Sequence, residues 1–229
     1  MRRAIEDYKM IENGDKIAVG VSGGKDSLTL LAALATYRSF SDKKFDLIAV
    51  TIDMGFEGMD FSPVEEFCQR ADVPYIIRKT EIGDILFNIR KESNPCSLCA
   101  KMRRGAVNEL AKSEGCNKVA LGHHNEDVIE TFFLSLFYEG RLNCFSPVTY
   151  LSRIDMHVIR PLIYVPEGDI KGCAKRIGLP VVKNLCPMDG FSKRQDMKDF
   201  INDKNKDDHH FKTRIMHAIK TGLDDWKIQ

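Results

Sequence analysis

The six residues Ser22-Gly23-Gly24-Lys25-Asp26-Ser27 lie between the apolar run Ile17-Ala18-Val19-Gly20-Val21 and the apolar segment Leu28-Thr29-Leu30-Leu31-Ala32-Ala33-Leu34. A chain written in this order leaves a buried strand, turns through two adjacent glycines and enters a helix. The first turn of a helix has backbone N–H groups without helical partners, and the helix dipole adds positive potential there. An anion such as phosphate satisfies both. The segment therefore calls for an α/β fold with a nucleotide site at a strand end. The commoner phosphate loop places four residues between its first Gly and Gly-Lys, then adds Ser or Thr. Here three residues, Val21, Ser22 and Gly23, separate Gly20 from Gly24-Lys25, and Asp26 follows.

The rest of the chain repeats this alternation. Apolar, β-branched runs predict strands at Lys16 to Val21, Asp46 to Ile52, Pro74 to Arg78, Lys118 to Leu121 and His157 to Leu162. Helical patterns lie between them at Asp26 to Phe40, Ser62 to Ala71, Ser97 to Glu114 and Asn125 to Tyr138. The order implies a parallel sheet with helices on both faces and ligands at the carboxyl ends of the strands. Past Pro180 the pattern changes to a charged stretch from Ser192 to His210, then Ile215, Met216, Ile219 and Leu223 at helical spacing. C-terminal helices lying on the domain are expected there, with an RNA-facing or dimer-facing edge; a solvated helix face accounts for most of the charges.

Composition excludes more than it selects. A net charge of +1 gives no global field that would announce a nucleic-acid partner. The N-terminus Met1-Arg2-Arg3-Ala4-Ile5-Glu6-Asp7-Tyr8 carries charge where a signal peptide needs an apolar core, and no apolar run is long enough for a membrane span. A cytoplasmic chain with no membrane partner is expected. Seven cysteines, an odd number, then point to metal binding, catalysis or burial ahead of disulfides.

Gly122-His123-His124-Asn125-Glu126-Asp127-Val128-Ile129-Glu130-Thr131 follows a predicted strand and opens a predicted helix. Acidic groups at a helix start are favoured by the dipole and could hold Mg²⁺ against ATP phosphates; a simple N-cap cluster is the alternative. His123 and His124 are adjacent on a turn and diverge, which argues against joint metal ligation. Asp53, ending the second strand, lines the adenosine pocket or serves only as a loop-entry residue. Pro95-Cys96-Ser97-Leu98-Cys99 enters a helix, and Asn184-Leu185-Cys186-Pro187 supplies a third thiol. A C-x-x-C pair can grip one metal centre, and a helix N-terminus lowers thiol pKa. Three thiolates leave a cluster iron open, whereas four close the site. Zinc and a metal-free persulfide relay remain open as readings of the same cysteines. Cys68, Cys116, Cys144 and Cys173 have no motif and read as small buried apolar residues. Arg160 reads as a phosphate or RNA contact or as a structural ion pair, and Lys101, Arg103 and Arg104 as a local RNA contact or a solvated face.

The motif S-G-G-K-D-S resembles the PP-loop of the ATP pyrophosphatases. The histidine loop is similar to their G-H-x-x-D-D-x-x-E-T motif, with Glu126 where the first Asp is usual, which leaves Asp127 as the better metal candidate. Together with C-x-x-C and one late Cys, the chain resembles the tRNA 2-thiocytidine biosynthesis family (TtcA type) from Met10-Ile11-Glu12-Asn13-Gly14-Asp15 through His157-Val158-Ile159-Arg160-Pro161-Leu162 to Arg194-Gln195. That resemblance implies a Rossmann-like adenine nucleotide alpha hydrolase fold, with residues 1–190 as the ATP-binding and thiolation domain and 191–229 as a helical extension. It implies ATP bound by Ser22, Gly23, Gly24, Lys25, Asp26, Ser27, Asp53, Gly122, His123 and Asp127. It further implies Mg²⁺ at Asp127, helped by Asp26, and a 4Fe-4S cluster on Cys96, Cys99 and Cys186. The implied reaction adenylates C2 of a cytidine in a tRNA anticodon loop, with Lys25 and Asp26 acting on the phosphates, and replaces its oxygen with sulfur from the cluster. A cysteine desulfurase or other sulfur donor and a second copy of the chain are the implied partners. A PP-loop enzyme acting on another base or substrate, and a non-catalytic nucleotide-binding metal sensor, are the rival expectations.

Overall fold

Continuous apolar runs become strands here because both faces of the sheet are covered. β1 (Lys16–Gly20) and β2 (Asp46–Asp53) pair in parallel, with Ile17 opposite Leu47 and Val19 opposite Ala49. Alternate residues serve opposite cores. Ile17, Val19, Leu47 and Ala49 join one apolar cluster, while Ala18, Ile48 and Val50 join the other. The computed structural model describes residues 1–90, 95–188 and 193–228. In it the sheet runs β3 (Tyr75–Lys79), β2, β1, β4 (Lys118–Ala120), β6 (Met156–Ile159), β5 (Val148–Leu151).

The pairs are parallel except at one edge, where β5 runs antiparallel to β6. The expected parallel sheet with helices on both faces thus carries one antiparallel edge strand. β5 has four half-buried or exposed residues, too short and too polar a run to stand out in the sequence. β6 also stops at Ile159 rather than Leu162, since Pro161 has no N–H and the Arg160 N–H turns to the Pro147 carbonyl (3.1 Å).

The helices are α1 (Arg2–Asp7), α2 (Lys25–Phe40), α3 (Ser62–Arg70), α4 (Ile82–Asp84), α5 (Pro95–Ser113), α6 (Asn125–Leu134), α7 (Glu167–Arg176), α8 (Lys193–Asp207) and α9 (Phe211–Gly222). Val107, Leu110 and Ala111 of α5 cover the face of the sheet built on Ala18, Ile48 and Val50. Leu28, Leu31 and Leu34 of α2 belong to the core on the other face. A wider turn, Ser135–Glu139, continues α6 almost to the expected end. α7 escapes sequence reading because two glycines interrupt it and only Ile170 and Ala174 supply buried apolar side chains.

The expected C-terminal helices form and dock on α6. Met197 and Ile201 of α8 pack with Ile129 and Phe133, and the Phe211 ring stacks on Phe133 at 6.1 Å. Trp226 is fully buried; its indole N–H donates to the Phe145 carbonyl (3.2 Å), and the Tyr8 hydroxyl donates to its own carbonyl (3.0 Å). The proposed boundary between residues 190 and 191, and the start of the charged stretch at Ser192, lie outside the described residues. Among the described residues no helix is long and apolar enough to cross a membrane.

Candidate active site

The chain runs from β1 outward to β2 and β3, then returns to lay β4 against the other side of β1. Such a reversal opens a crevice beyond the carboxyl ends of the two central strands, where α/β sheets take their ligands. The Ser22–Ser27 turn follows β1 and the Gly122–Asp127 loop follows β4, so the topology brings both predicted motifs to this crevice.

Each residue of the turn has a separate task. The Val21 N–H extends the β1 ladder to the Val50 carbonyl (2.8 Å), and the Thr51 hydroxyl donates to the Val21 carbonyl (2.6 Å). Gly23 has φ +80°, the left-handed region that glycine tolerates, and a Cβ there would meet the Val182 Cβ at 3.0 Å. Gly24 caps α2, and the Ser27 hydroxyl donates back to its carbonyl at 2.9 Å. The Ser22 N–H donates to Ser27 Oγ (3.1 Å), and the two serine hydroxyls lie 3.2 Å apart. These internal hydrogen bonds fix the shape of the loop. Lys25 Nζ lies 2.9 Å from both carboxylate oxygens of Asp26 and 3.2 Å from Glu167 Oε1. Burial works against its charge, but the two carboxylates outweigh it and raise its pKa.

Gly122 lets the second loop touch the first. A Cβ at that position would sit 3.0 Å from the carbonyl carbon and oxygen of Asp26 and 3.1 Å from the Ser27 nitrogen. His124 therefore comes within 3.8 Å of Asp26, 3.4 Å of Glu126 and 3.5 Å of Asp127. Burial disfavours its charged form, but the nearby Glu126 carboxylate and the charges of Asp127 and Asp26 prevail and raise its pKa. His123 diverges, as expected of a neighbour on a turn. Its ring lies 4.8 Å from Phe145, and burial drives its pKa down to about 4.

Asp127 is first a capping residue: its Oδ2 accepts from the His124 N–H (2.9 Å) and its Oδ1 from Arg194 (3.1 Å). The cap is thus built by His124 with Asp127, and Asn125 begins the helix. Lone pairs remain on both oxygens for a cation. Asp53 accepts from the Gly55 N–H (2.9 Å), the loop-entry arrangement weighed beside the adenosine pocket.

Three charged residues at the crevice have no role assigned from the sequence, although one of them, Arg194, stands at the end of the family resemblance. Glu167, at the start of α7, is gripped by Lys25, Lys198 (3.0 Å) and Lys171 (3.2 Å). Burial raises its pKa, but these three cations outweigh it and hold the carboxyl down at about 2. Arg194 of α8 reaches Asp127, Glu130 (3.2 Å) and the Thr131 hydroxyl (3.1 Å). Only the fold could reveal what Glu167, Arg194 and Lys198 touch, because they arrive from elements far along the chain.

The segment leading to Cys186 adjoins the crevice. The Val182 N–H donates to the Gly23 carbonyl (2.9 Å), and four residues later the chain reaches Cys186. Four residues span at most about 14 Å, so Cys186 stays close to the phosphate turn. Cys96 and Cys99 sit three apart on the first turns of α5 and so share a face. Burial pushes the Cys99 thiol up, Arg103 opposes, and the charges of Cys186 and Cys96 push further in the same direction. This corrects the expectation that the helix start would depress it. All three thiols are free, and thiolates are the ligands a soft metal centre takes. Among the described residues no three His, Cys, Asp or Glu side chains stand close enough to hold a single metal ion.

Elsewhere Cys68, Cys116 and Cys144 are buried, with pKa values raised by burial to about 11, 11 and 12, whereas Cys173 is only partly buried. Arg160 departs from both of its expected roles. It is buried, donates to the Ser146 carbonyl (2.6 Å) and Thr149 hydroxyl (2.9 Å), lies 5.0 Å over the Phe145 ring, and has no carboxylate partner among the described residues. Lys101, Arg103 and Arg104 are exposed.

A strand-to-helix turn of this form at the switch point of a six-stranded sheet defines a PP-loop nucleotide-binding domain. The family model described as a PP-loop domain matches residues 1–186. A tRNA-cytidine(32) 2-sulfurtransferase of Citrifermentans bemidjiense is 37% identical over 220 residues, 95% of this chain and 86% of that protein. One from Pelobacter propionicus is 39% identical over 95% of this chain and 82% of its own length. Among solved structures, the U34-tRNA thiolase NcsA from Methanococcus maripaludis with its 4Fe-4S cluster superposes with TM-score 0.78 at 26% identity, covering 97% of this chain and 77% of that one. The chain belongs to the PP-loop family and, within it, to the tRNA-cytidine(32) 2-sulfurtransferases.

Proposed function

We infer that this chain is an ATP-dependent tRNA thiolase that replaces the C2 oxygen of a cytidine in the anticodon loop with sulfur. What supports this reading is the strap from Val182 to Cys186: its Val182 N–H donates to the Gly23 carbonyl, which keeps Cys186 within about 14 Å of the phosphate turn. An ATP site and a soft-metal site in adjacency suit a reaction that activates an oxygen and then displaces it with sulfur.

A carbonyl oxygen leaves poorly, so it must first become an ester. The cytidine oxygen attacks the α-phosphorus of ATP, the bond to the pyrophosphate breaks, and an adenylate forms. The amides of Gly23 and Gly24, the hydroxyls of Ser22 and Ser27, and the Lys25 ammonium stabilise the departing pyrophosphate. Asp26 and Glu167 keep Lys25 protonated and aimed at the crevice. His123 stays neutral at pH 7 and Gly122 sets the gap between the two loops. Asp127, with Asp26, would hold Mg²⁺, which neutralises phosphate charge. A 4Fe-4S cluster held by Cys96, Cys99 and Cys186 would keep one iron free to carry the incoming sulfur. Attack of sulfur at C2 expels AMP and completes the exchange. Residues 1–190 form the catalytic unit and 191–229 a helical extension that covers it. A cysteine desulfurase or comparable donor supplies the sulfur, and the enzyme works in the cytoplasm as a homodimer.

Protein purified without oxygen is expected to be brown and to contain iron and acid-labile sulfide, with each of Cys96→Ala, Cys99→Ala and Cys186→Ala losing iron. Colourless protein with stoichiometric zinc overturns the cluster assignment. Incubation with tRNA, Mg-ATP and sulfide should yield 2-thiocytidine on nucleoside mass spectrometry, together with pyrophosphate. Formation of 2-thiouridine instead would reassign the base, and no pyrophosphate release in the presence of tRNA would favour a sensor.

A further inference from the structure

We propose that the far end of α6, where Phe137, Tyr138, Arg141 and Leu142 meet Lys193 of α8, binds unpaired nucleotides of the RNA substrate by stacking and phosphate contact; this rests on the tRNA reading above. Phe137 is 53% exposed, Tyr138 52% and Leu142 68%, three large apolar side chains within six residues. Contiguous exposure of that kind marks an interaction surface. The rings are held in place. Phe137 lies 5.5 Å from Phe133 and packs edge-on to Phe200 at 5.8 Å, while Lys193 Nζ sits 4.9 Å over the Tyr138 ring. Gly140, at φ +64°, turns the chain so that the Arg141 N–H closes on the Ser135 carbonyl at 3.2 Å.

Charge selects the occupant. Glu139, the acid in this segment, accepts from the Ser135 hydroxyl at 2.9 Å. The Arg141 side chain is exposed and has no ion-pair partner among the described residues. Aromatic faces flanked by cations are the chemistry of unpaired RNA, whose bases stack on rings while Lys and Arg meet the phosphates. Position agrees as well. The start of α6 holds His124 and Asp127 at the ATP site, and residues 125–139 at 1.5 Å per residue place the patch roughly 20 Å away on the same rigid element. A loop that delivers one nucleotide to the ATP site can rest its neighbours here.

The test measures tRNA affinity across a salt series for wild type, for Phe137→Ala with Tyr138→Ala, and for Arg141→Ala with Lys193→Ala. Loss of two stacking rings is expected to weaken tRNA binding by at least about tenfold. Loss of two phosphate contacts should reduce the slope of log affinity against log salt by about 1.4. ATP affinity should stay within about twofold of wild type in both, and Phe137→Tyr with Tyr138→Phe should restore tRNA binding. Unchanged tRNA affinity and slope, in a wild-type background that does bind tRNA, overturns the surface alone. A loss of affinity accompanied by conversion from dimer to monomer assigns the patch to a second copy and overturns it too. A wild-type protein that binds no tRNA removes the functional reading, and this surface with it.

Discussion

Gly122→Ala probes the contact that joins the two halves of the site. The added methyl would stand 3.0 Å from the carbonyl carbon and oxygen of Asp26 and 3.1 Å from the Ser27 nitrogen. These are backbone atoms of the first turn of α2, so no side chain can rotate aside; the turn or the loop after β4 has to move by several tenths of an ångström. Overpacking of this kind costs about 1–3 kcal/mol. For a domain of this size that lowers Tm by roughly 2–12 °C. The same displacement pulls Asp26 away from His124, so ATP affinity falls as well. Thermal melting and ATP titration should be run beside Gly172→Ala, on α7, where a Cβ meets nothing within 4 Å. That control gains about 1 kcal/mol from helix propensity and melts slightly later. A Gly122→Ala protein that melts with wild type and binds ATP equally well would refute the close-approach argument.

Two further outcomes are expected. Lys25→Ala should lower ATP-dependent thiolation by at least about tenfold while iron content holds, measured by nucleoside mass spectrometry and iron assay; unchanged turnover removes the lysine from its role. His124 has its pKa raised above the ordinary 6.5, so its stabilising charge is fully present below that value and is lost as pH rises through the folded one. Stability should therefore decline from about pH 6.5 upward, and His124→Gln should flatten that part of the profile; identical pH profiles for the two proteins would exclude the histidine.

Much of the site can be read along the chain because its parts are local. Strand, turn and helix around Ser22–Ser27 follow from apolar runs broken by two glycines, and the histidine loop announces itself in the same way. The trio of cysteines could be nominated because thiols are chemically distinctive. Glu167 and Lys198 could not, nor could the partners of Arg194, since isolated charged residues look alike whether they face solvent or a crevice. Arg160 misled for the same reason: nothing in Arg-Pro-Leu says that the guanidinium ends against two oxygens and a phenyl ring. β5 went unread because an edge strand needs only one apolar face and little length.

Pattern along the chain thus determined the fold class, the phosphate turn and the candidate ligands, since period and glycine placement act over a few residues. Tertiary structure alone decided the neighbours: that the chain doubles back beside β1, that Gly122 meets Asp26, and that Val182 ties the segment leading to Cys186 to Gly23. Those juxtapositions join segments far apart in sequence, and their geometry comes from the packing of helices on a twisted sheet, which no local propensity encodes.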